Sequence, residues 1–197
     1  TLMHKVNESA IVLIEFQKEW TKKGLFYTLI KSQLEKRNAI QNTQSFVAEA
    51  RKLGIKIIHA PLIVDPANKK GWMAYLTFGK IFTKGTWRSE IVDGLYEEGD
   101  LIALRETYNY KGFDAFHESM LEETLRENNI QTIFICGFAT DQCPSLTLNT
   151  AEEKGFEPHL VTNCTATFGD FFQKRAERRH RERVLTAQNA LKAISSA

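Results

Sequence analysis

A carboxylate, a guanidinium and a thiol each follow a short apolar run in this sequence. Glu15 stands in Ile11-Val12-Leu13-Ile14-Glu15-Phe16-Gln17, Arg105 follows Leu101-Ile102-Ala103-Leu104, and Cys143 ends Gly137-Phe138-Ala139-Thr140-Asp141-Gln142-Cys143. Brought together, they would set a thiol, nucleophilic as its thiolate, beside a carboxylate and a cation. Cys143 comes after a strand and a short turn and opens a helix, with Thr140 or Asp141 as cap and Pro144 in the first turn. A helix N-terminus and a nearby cation lower a cysteine pKa, so a thiolate is expected. Cys136, inside an apolar strand, and Cys164, after a later one, lack this arrangement. A cysteine at such a junction is also often inert, so its placement alone leaves catalysis and packing both open.

The elements that must position these groups are legible as alternating apolar runs and helical patterns. Ile11–Ile14, Ile55–Ile58, Leu101–Leu104, Thr132–Ile135 and Pro158–Val161 read as five strands. Between them, Phe46, Val47, Ala50 and Leu53 precede Gly54, and Phe116, Met120, Leu121 and Leu125 precede Asn128-Asn129, both with helical spacing and a stop. Gly54 and Gly155 match the preference for a left-handed residue after a helix. Continuous apolar strands suit a sheet covered on both faces, which predicts a three-layer α/β/α sandwich with a mostly parallel, Rossmann-like sheet of five to six strands. A sixth strand after the last helix is not read from the sequence. In open sheets of this kind ligands bind beyond the carboxyl ends of the strands, where Glu15, Arg105 and Cys143 all fall.

Composition narrows the function classes. The 197 residues, 43% hydrophobic and 25% charged, are ordinary for one globular domain spanning 1–197 and exclude low-complexity and collagen-like readings. A formal charge of +2 gives no footprint for nucleic acid or an anionic membrane. Three cysteines without C-x-x-C or Cys/His zinc spacing indicate neither a disulfide framework nor a zinc site, which favours a reducing, cytoplasmic setting. The apolar runs are strand-sized, and the first residues lack the apolar stretch of a secretory signal. Residues 62–100 break the rhythm with interleaved glycines and the aromatics Trp72, Tyr75, Phe78, Phe82 and Trp87, which suit a pocket wall, a subunit contact or local core. Phe171 to Ile194 reads as a helix with a solvated charged face around Lys174–Arg183.

Gly137-Phe138-Ala139-Thr140-Asp141-Gln142-Cys143 resembles the G-x-x-T-x-x-C signature of the isochorismatase-like cysteine hydrolases. Ala10–Gln17 is similar to their opening strand with its D-x-Q, and Gly85–Leu95 with Gly99-Asp100 to the segment before their lysine strand, so the resemblance runs from about residue 10 to residue 168. It implies an aspartate–lysine–cysteine triad, in which Glu15 takes the aspartate position, Arg105 the lysine position, and Cys143 matches. It also implies a cis peptide between Phe138 and Ala139, with the amides of Ala139 and Cys143 as an oxyanion hole. Gln17, Trp20, Tyr108, Phe138 and Thr140 are then expected at the substrate. Lys111 is a second source of an ammonium group if its loop folds over the cleft.

Some members, nicotinamidases among them, hold a divalent metal through an aspartate and histidines. Here only His59 and Asp65 are available, and neither a metal nor any cofactor is expected. The resemblance implies a small-molecule substrate in a water-poor pocket, often completed by a neighbouring subunit of a homo-oligomer. Two functions compete. One is hydrolysis of a C–N, amide-type bond through a cysteine thioester, with isochorismate vinyl-ether hydrolysis as the other chemistry of the fold. The second is a catalytically impaired member that binds small molecules or serves as an oligomeric interaction protein, since two triad positions differ. A thiol-redox role for Cys143 lacks a nearby resolving cysteine in sequence.

Overall fold

The computed structural model describes residues 3–105 and 110–195. Its strands are β1 (His4–Lys5), β2 (Ser9–Ile14), β3 (Lys56–Ala60), β4 (Leu101–Ile102), β5 (Thr132–Phe138), β6 (Glu157–Ala166), β7 (Val184–Leu185) and β8 (Ile194–Ser195). The helices are α1 (Lys18–Thr21), α2 (Leu25–Arg37), α3 (Ala39–Leu53), α4 (Trp72–Leu76), α5 (Leu121–Glu127), α6 (Cys143–Glu153), α7 (Asp170–His180) and α8 (Ala187–Lys192). Six strands form one all-parallel sheet in the order β4-β3-β2-β5-β6-β7, and β1 pairs with β8 in a small second sheet. No helix among the described residues is long and apolar enough to cross a membrane.

Every residue of β2 and β5 is buried, as strands covered on both faces require. Their side chains alternate between two cores. Ile11, Leu13, Phe134 and Cys136 pack with Ile30 and Leu34 of α2 and with Phe46, Val47 and Ala50 of α3. Val12, Ile14, Ile133 and Ile135 pack with Leu121 and Leu125 of α5 and with Leu148 and Ala151 of α6. This is the three-layer sandwich that the apolar pattern predicts. At the end of α3, Gly54 takes φ +83°, and Ile55 N–H reaches back to the Ala50 carbonyl at 3.0 Å before β3 begins.

The chain starts the main sheet at β2, adds β3 and β4 on one side, and then returns to add β5, β6 and β7 on the other. The switch point therefore lies between β2 and β5, and a crevice opens at their carboxyl ends. There the two strands come very close. A Cβ on Gly137 would lie 2.0 Å from the Ile14 carbonyl oxygen, and its φ is +127°, so only glycine fits.

One expectation changes. The charged tail is not one helix: α7 ends where Arg181 takes φ +31°, Val184-Leu185 pairs as a sixth strand with Leu160-Val161, and Thr186 then caps α8 through Asn189 N–H. Two apolar residues between Arg183 and Thr186 carry too little periodicity to stand out from a helix. The 62–100 segment supplies local core and, through Leu62, Trp72, Ile81 and Phe82, part of a cavity wall. Leu62, Val64, Ile81, Phe82 and Leu95 are core, while Trp72, Tyr75 and Phe78 are exposed.

Candidate active site

Glu15 directly follows β2 and takes a left-handed backbone (φ +55°), a conformation that costs a non-glycine residue about 1–2 kcal/mol. Its N–H is held by the Ala60 carbonyl at 3.2 Å, and its side chain is buried in the crevice. Oε2 accepts the indole N–H of Trp20, on α1, at 2.9 Å. Oε1 accepts from Nη2 of Arg105 in a short, fully buried ion pair, and from the Cys143 thiol at 3.1 Å. The carboxylate is the hub of the site. Arg105 is fixed beyond β4 by bridges to Leu62 and Ser119, and its Nε and Nη1 are buried without a hydrogen-bond partner. One nitrogen of the guanidinium, not a two-nitrogen fork, therefore carries the pair.

Cys143 is the first residue of α6, with Pro144 behind it in the first turn. The expectation of a ready-made thiolate is not met. Burial and the adjacent Glu15 carboxylate push the thiol well above its ordinary pKa, outweighing the downward pull of Arg105. The resting pair is a thiol donating to a carboxylate, the arrangement a general base needs. Neither expected cap is used. Thr140 Oγ1 donates to Gln173 at 2.6 Å, and Asp141 accepts from Thr167. The peptide between Phe138 and Ala139 is cis, as the resemblance implies. Ala139 and Cys143 both line the cavity, and at a helix start the backbone N–H groups have no intrahelical acceptor.

That cavity, of about 300 Å³, has Glu15 and Cys143 as its polar floor. Trp20, Phe26, Trp72, Ile81, Phe82 and Phe168 form its apolar walls. Trp20 stacks on Phe26 at 4.5 Å, which fixes the wall beside the carboxylate. Trp72 and Phe82 were legible as aromatics of the irregular segment. Phe26, Phe168 and Phe113 carry no sequence signal and reach the cavity only through the fold, whereas Gln142 stands in the cysteine motif.

Other expected contacts lie elsewhere. Gln17 is fully buried, donating to the carbonyls of Leu62 and Ser89 and accepting from Leu62 N–H at 3.0 Å, so it ties the wall segments to the end of β2. Phe138 packs against Phe16 in the core at 4.6 Å, and Thr140 is buried behind the cysteine turn. None of the three lines the cavity; each holds what does. Tyr108 and the Lys111 side chain lie outside the described residues. A metal at this site does not fit the residues present. His59 Nε2 is taken by Asp100 at 2.7 Å, and the Asp65 side chain caps its own turn through Ala67 N–H.

Comparison with known proteins shows the family and the fold. A curated nicotinamidase, Nicotinamidase 3 of Arabidopsis thaliana, is 28% identical over 92 residues, 47% of this chain and 46% of that protein. The match thus spans about half of that relative's length. A longer match is to the ureidoacrylate amidohydrolase RutB of Agrobacterium fabrum, 23% identical over 190 residues, covering 86% of this chain and 81% of that one. Among solved structures, a cysteine hydrolase from Pseudomonas syringae pv. phaseolicola superposes with a TM-score of 0.80 at 19% identity, covering 95% of this chain and 92% of the other, which shows a shared fold. The isochorismatase domain profile matches residues 9–190, nearly the whole chain, and this chain therefore belongs to the isochorismatase family of hydrolases.

Proposed function

We propose that this chain hydrolyses a C–N, amide-type bond of a small molecule through a thioester on Cys143. The observation that carries the reading is the hydrogen bond from the Cys143 thiol to Glu15, itself ion-paired to Arg105, on the floor of an apolar cavity. Glu15 takes the thiol proton as sulfur attacks the carbonyl carbon. The amides of Ala139 and Cys143 receive the oxyanion. Collapse of the tetrahedral intermediate breaks the C–N bond, and Glu15 returns its proton to the departing nitrogen. Water then attacks the thioester as Glu15 accepts its proton, the acid leaves, and the sulfur is reprotonated. Arg105, paired with Oε1, keeps the Glu15 side chain aimed at the sulfur.

The relatives named as nicotinamidase and ureidoacrylate amidohydrolase support C–N cleavage as the reaction class. Three free cysteines suit a cytoplasmic setting. Exposed Trp72 at the cavity, with exposed Tyr75 and Phe78 on the same segment, suits a second copy that completes the wall in a homo-oligomer. No nucleic-acid or membrane partner is invoked. The test is a screen of neutral primary amides and carbamoyl compounds for amine or ammonia release, with acyl-Cys143 trapped by acid quench and peptide mass spectrometry. Turnover that disappears in Cys143→Ala supports the reading, and turnover that survives it refutes it.

A second reading is favoured by the elevated thiol pKa together with the altered triad. In it the chain is an impaired member that binds a small molecule without turnover. Ligand binding by both wild type and Cys143→Ala, with no acyl-enzyme from any substrate class, would select it.

A further inference from the structure

At the amino ends of the strands, opposite the catalytic crevice, His4, Glu157 and His159 converge. His4 is on β1, and Glu157 and His159 are two residues apart on β6 and so share a face. Their donor atoms all lie within 4.8 Å of one another, with His4 Nδ1 3.8 Å and His159 Nε2 3.7 Å from the Glu157 carboxylate. Among the described residues this is the one group of three such donors. Both rings are set by packing: His159 stacks on Phe134 at 5.4 Å, and His4 meets the same ring edge-on at 5.9 Å.

His159 is 8% exposed, and neither of its ring nitrogens has a hydrogen-bond partner. A buried imidazole without partners is costly, and such groups call for an explanation. The site opens on a cleft also lined by Glu182 and Arg183. Arg183 is the opposing charge, 3.9 Å from Glu157, but its Nε is already bound to Glu152 at 2.9 Å.

We propose that His4, Glu157 and His159 bind one divalent transition cation of the zinc type, tying β1 and its partner β8 to the main sheet. Two imidazoles and a carboxylate suit zinc-like ions, not magnesium or calcium, which prefer all-oxygen shells. Bonds of about 2.1 Å place tetrahedral donors about 3.4 Å apart, so the His4–Oε2 and His159–Oε1 separations would close by a few tenths of an ångström and the widest donor pair, within 4.8 Å, by up to about 1.4 Å. The fourth position faces the cleft and suits water. The cation would lie outside the crevice and take no part in the hydrolysis proposed above.

The experiment is calorimetric titration of Zn²⁺ into metal-stripped, tag-free protein, with Co²⁺ absorption as a report on ligand type. The expected result is one ion per chain and a Tm raised by roughly 5–10 °C at a free concentration near 100 times Kd. Affinity should fall at least about tenfold to 100-fold in His159→Phe, which keeps the stack on Phe134, and in Glu157→Gln, which changes a half-exposed residue and should leave the fold intact. Cys143→Ala should bind as wild type does. The proposal is overturned if no stoichiometric ion binds, if both variants bind as tightly as wild type, or if Co²⁺ shows a thiolate charge-transfer band that Cys143→Ala removes.

Discussion

Glu15 answers to three groups at once, and its replacement separates two properties that usually move together. The carboxylate raises the Cys143 pKa and is also the acceptor for its proton. Glu15→Gln should therefore make Cys143 react faster with iodoacetamide at pH 8 than in the wild type, while amide turnover drops by about 100-fold to 10,000-fold. Peptide mass spectrometry, with buried Cys136 and Cys164 as internal references, reads the first, and product release the second. Slower alkylation in the variant would show that the carboxylate does not set the thiol's charge. Arg105→Met leaves Glu15 buried without its counter-charge and should cost about 3–5 kcal/mol by urea unfolding. Glu15→Asp and Arg105→Lys each misplace a charge, so each should lower kcat/KM on the order of 100-fold. If the pair is co-adapted, the double variant loses less than the product of the two. Multiplying losses would mean that each residue acts alone.

The elements set how close these groups come. β2 and β5 bring Glu15 and the cysteine turn together, and the glycine at 137 is the condition of that approach. Gly137→Ala should destabilise by more than about 3 kcal/mol, because the obstructing atom is backbone and cannot rotate away. Thermal unfolding checks this, and a Tm near that of the wild type would refute it. Gln17 was legible as a polar residue beside the carboxylate and was expected at the substrate. Its spacing could not reveal that the carbonyls of Leu62 and Ser89 lie within its reach, since these are 45 and 72 residues away. Gln17→Leu should strand three buried polar groups, with a cost of about 1–3 kcal/mol for each one left unpaired, and loosen the cavity wall. A raised KM with lowered stability is the expected pair of results. A raised KM at unchanged stability would instead indicate direct contact with the substrate.

For the whole molecule, burial of histidines ties stability to pH. His59 and His180 are both held below their ordinary pKa, chiefly by burial. His59 faces Asp100, with Arg51 beyond it, and His180 donates to or accepts from Ser145, with Arg179 and Glu152 nearby. Above about pH 6.5 each ring is neutral in both states and contributes no pH dependence. Below it the unfolded chain takes up protons that the folded chain refuses, so stability falls as pH drops from about 6.5 toward the lowered folded values. Urea midpoints at pH 7.5 and 5.5 should show this loss, and His180→Gln should reduce it. A midpoint that is flat or rises over that interval would contradict the sign.

The layers, the succession of five strands along the chain and the candidate groups Glu15, Arg105 and Cys143 beyond three of them were legible in the sequence. Those features depend on local apolar periodicity and on residues placed just after it, which every stretch of a dozen residues displays. It also carried the cysteine motif and its cis peptide. The tertiary structure decided what neighbouring residues could not. Cys143 rests as a thiol because a carboxylate 128 residues away shares its burial. Thr140 and Gln17 turn inward because distant partners satisfy them. Phe26 and Phe168 become cavity walls, and Val184-Leu185 becomes a strand because β6 offers an open edge. In each case the deciding energy is desolvation or a hydrogen bond between segments far apart in the chain, which exists only once the sheet is assembled.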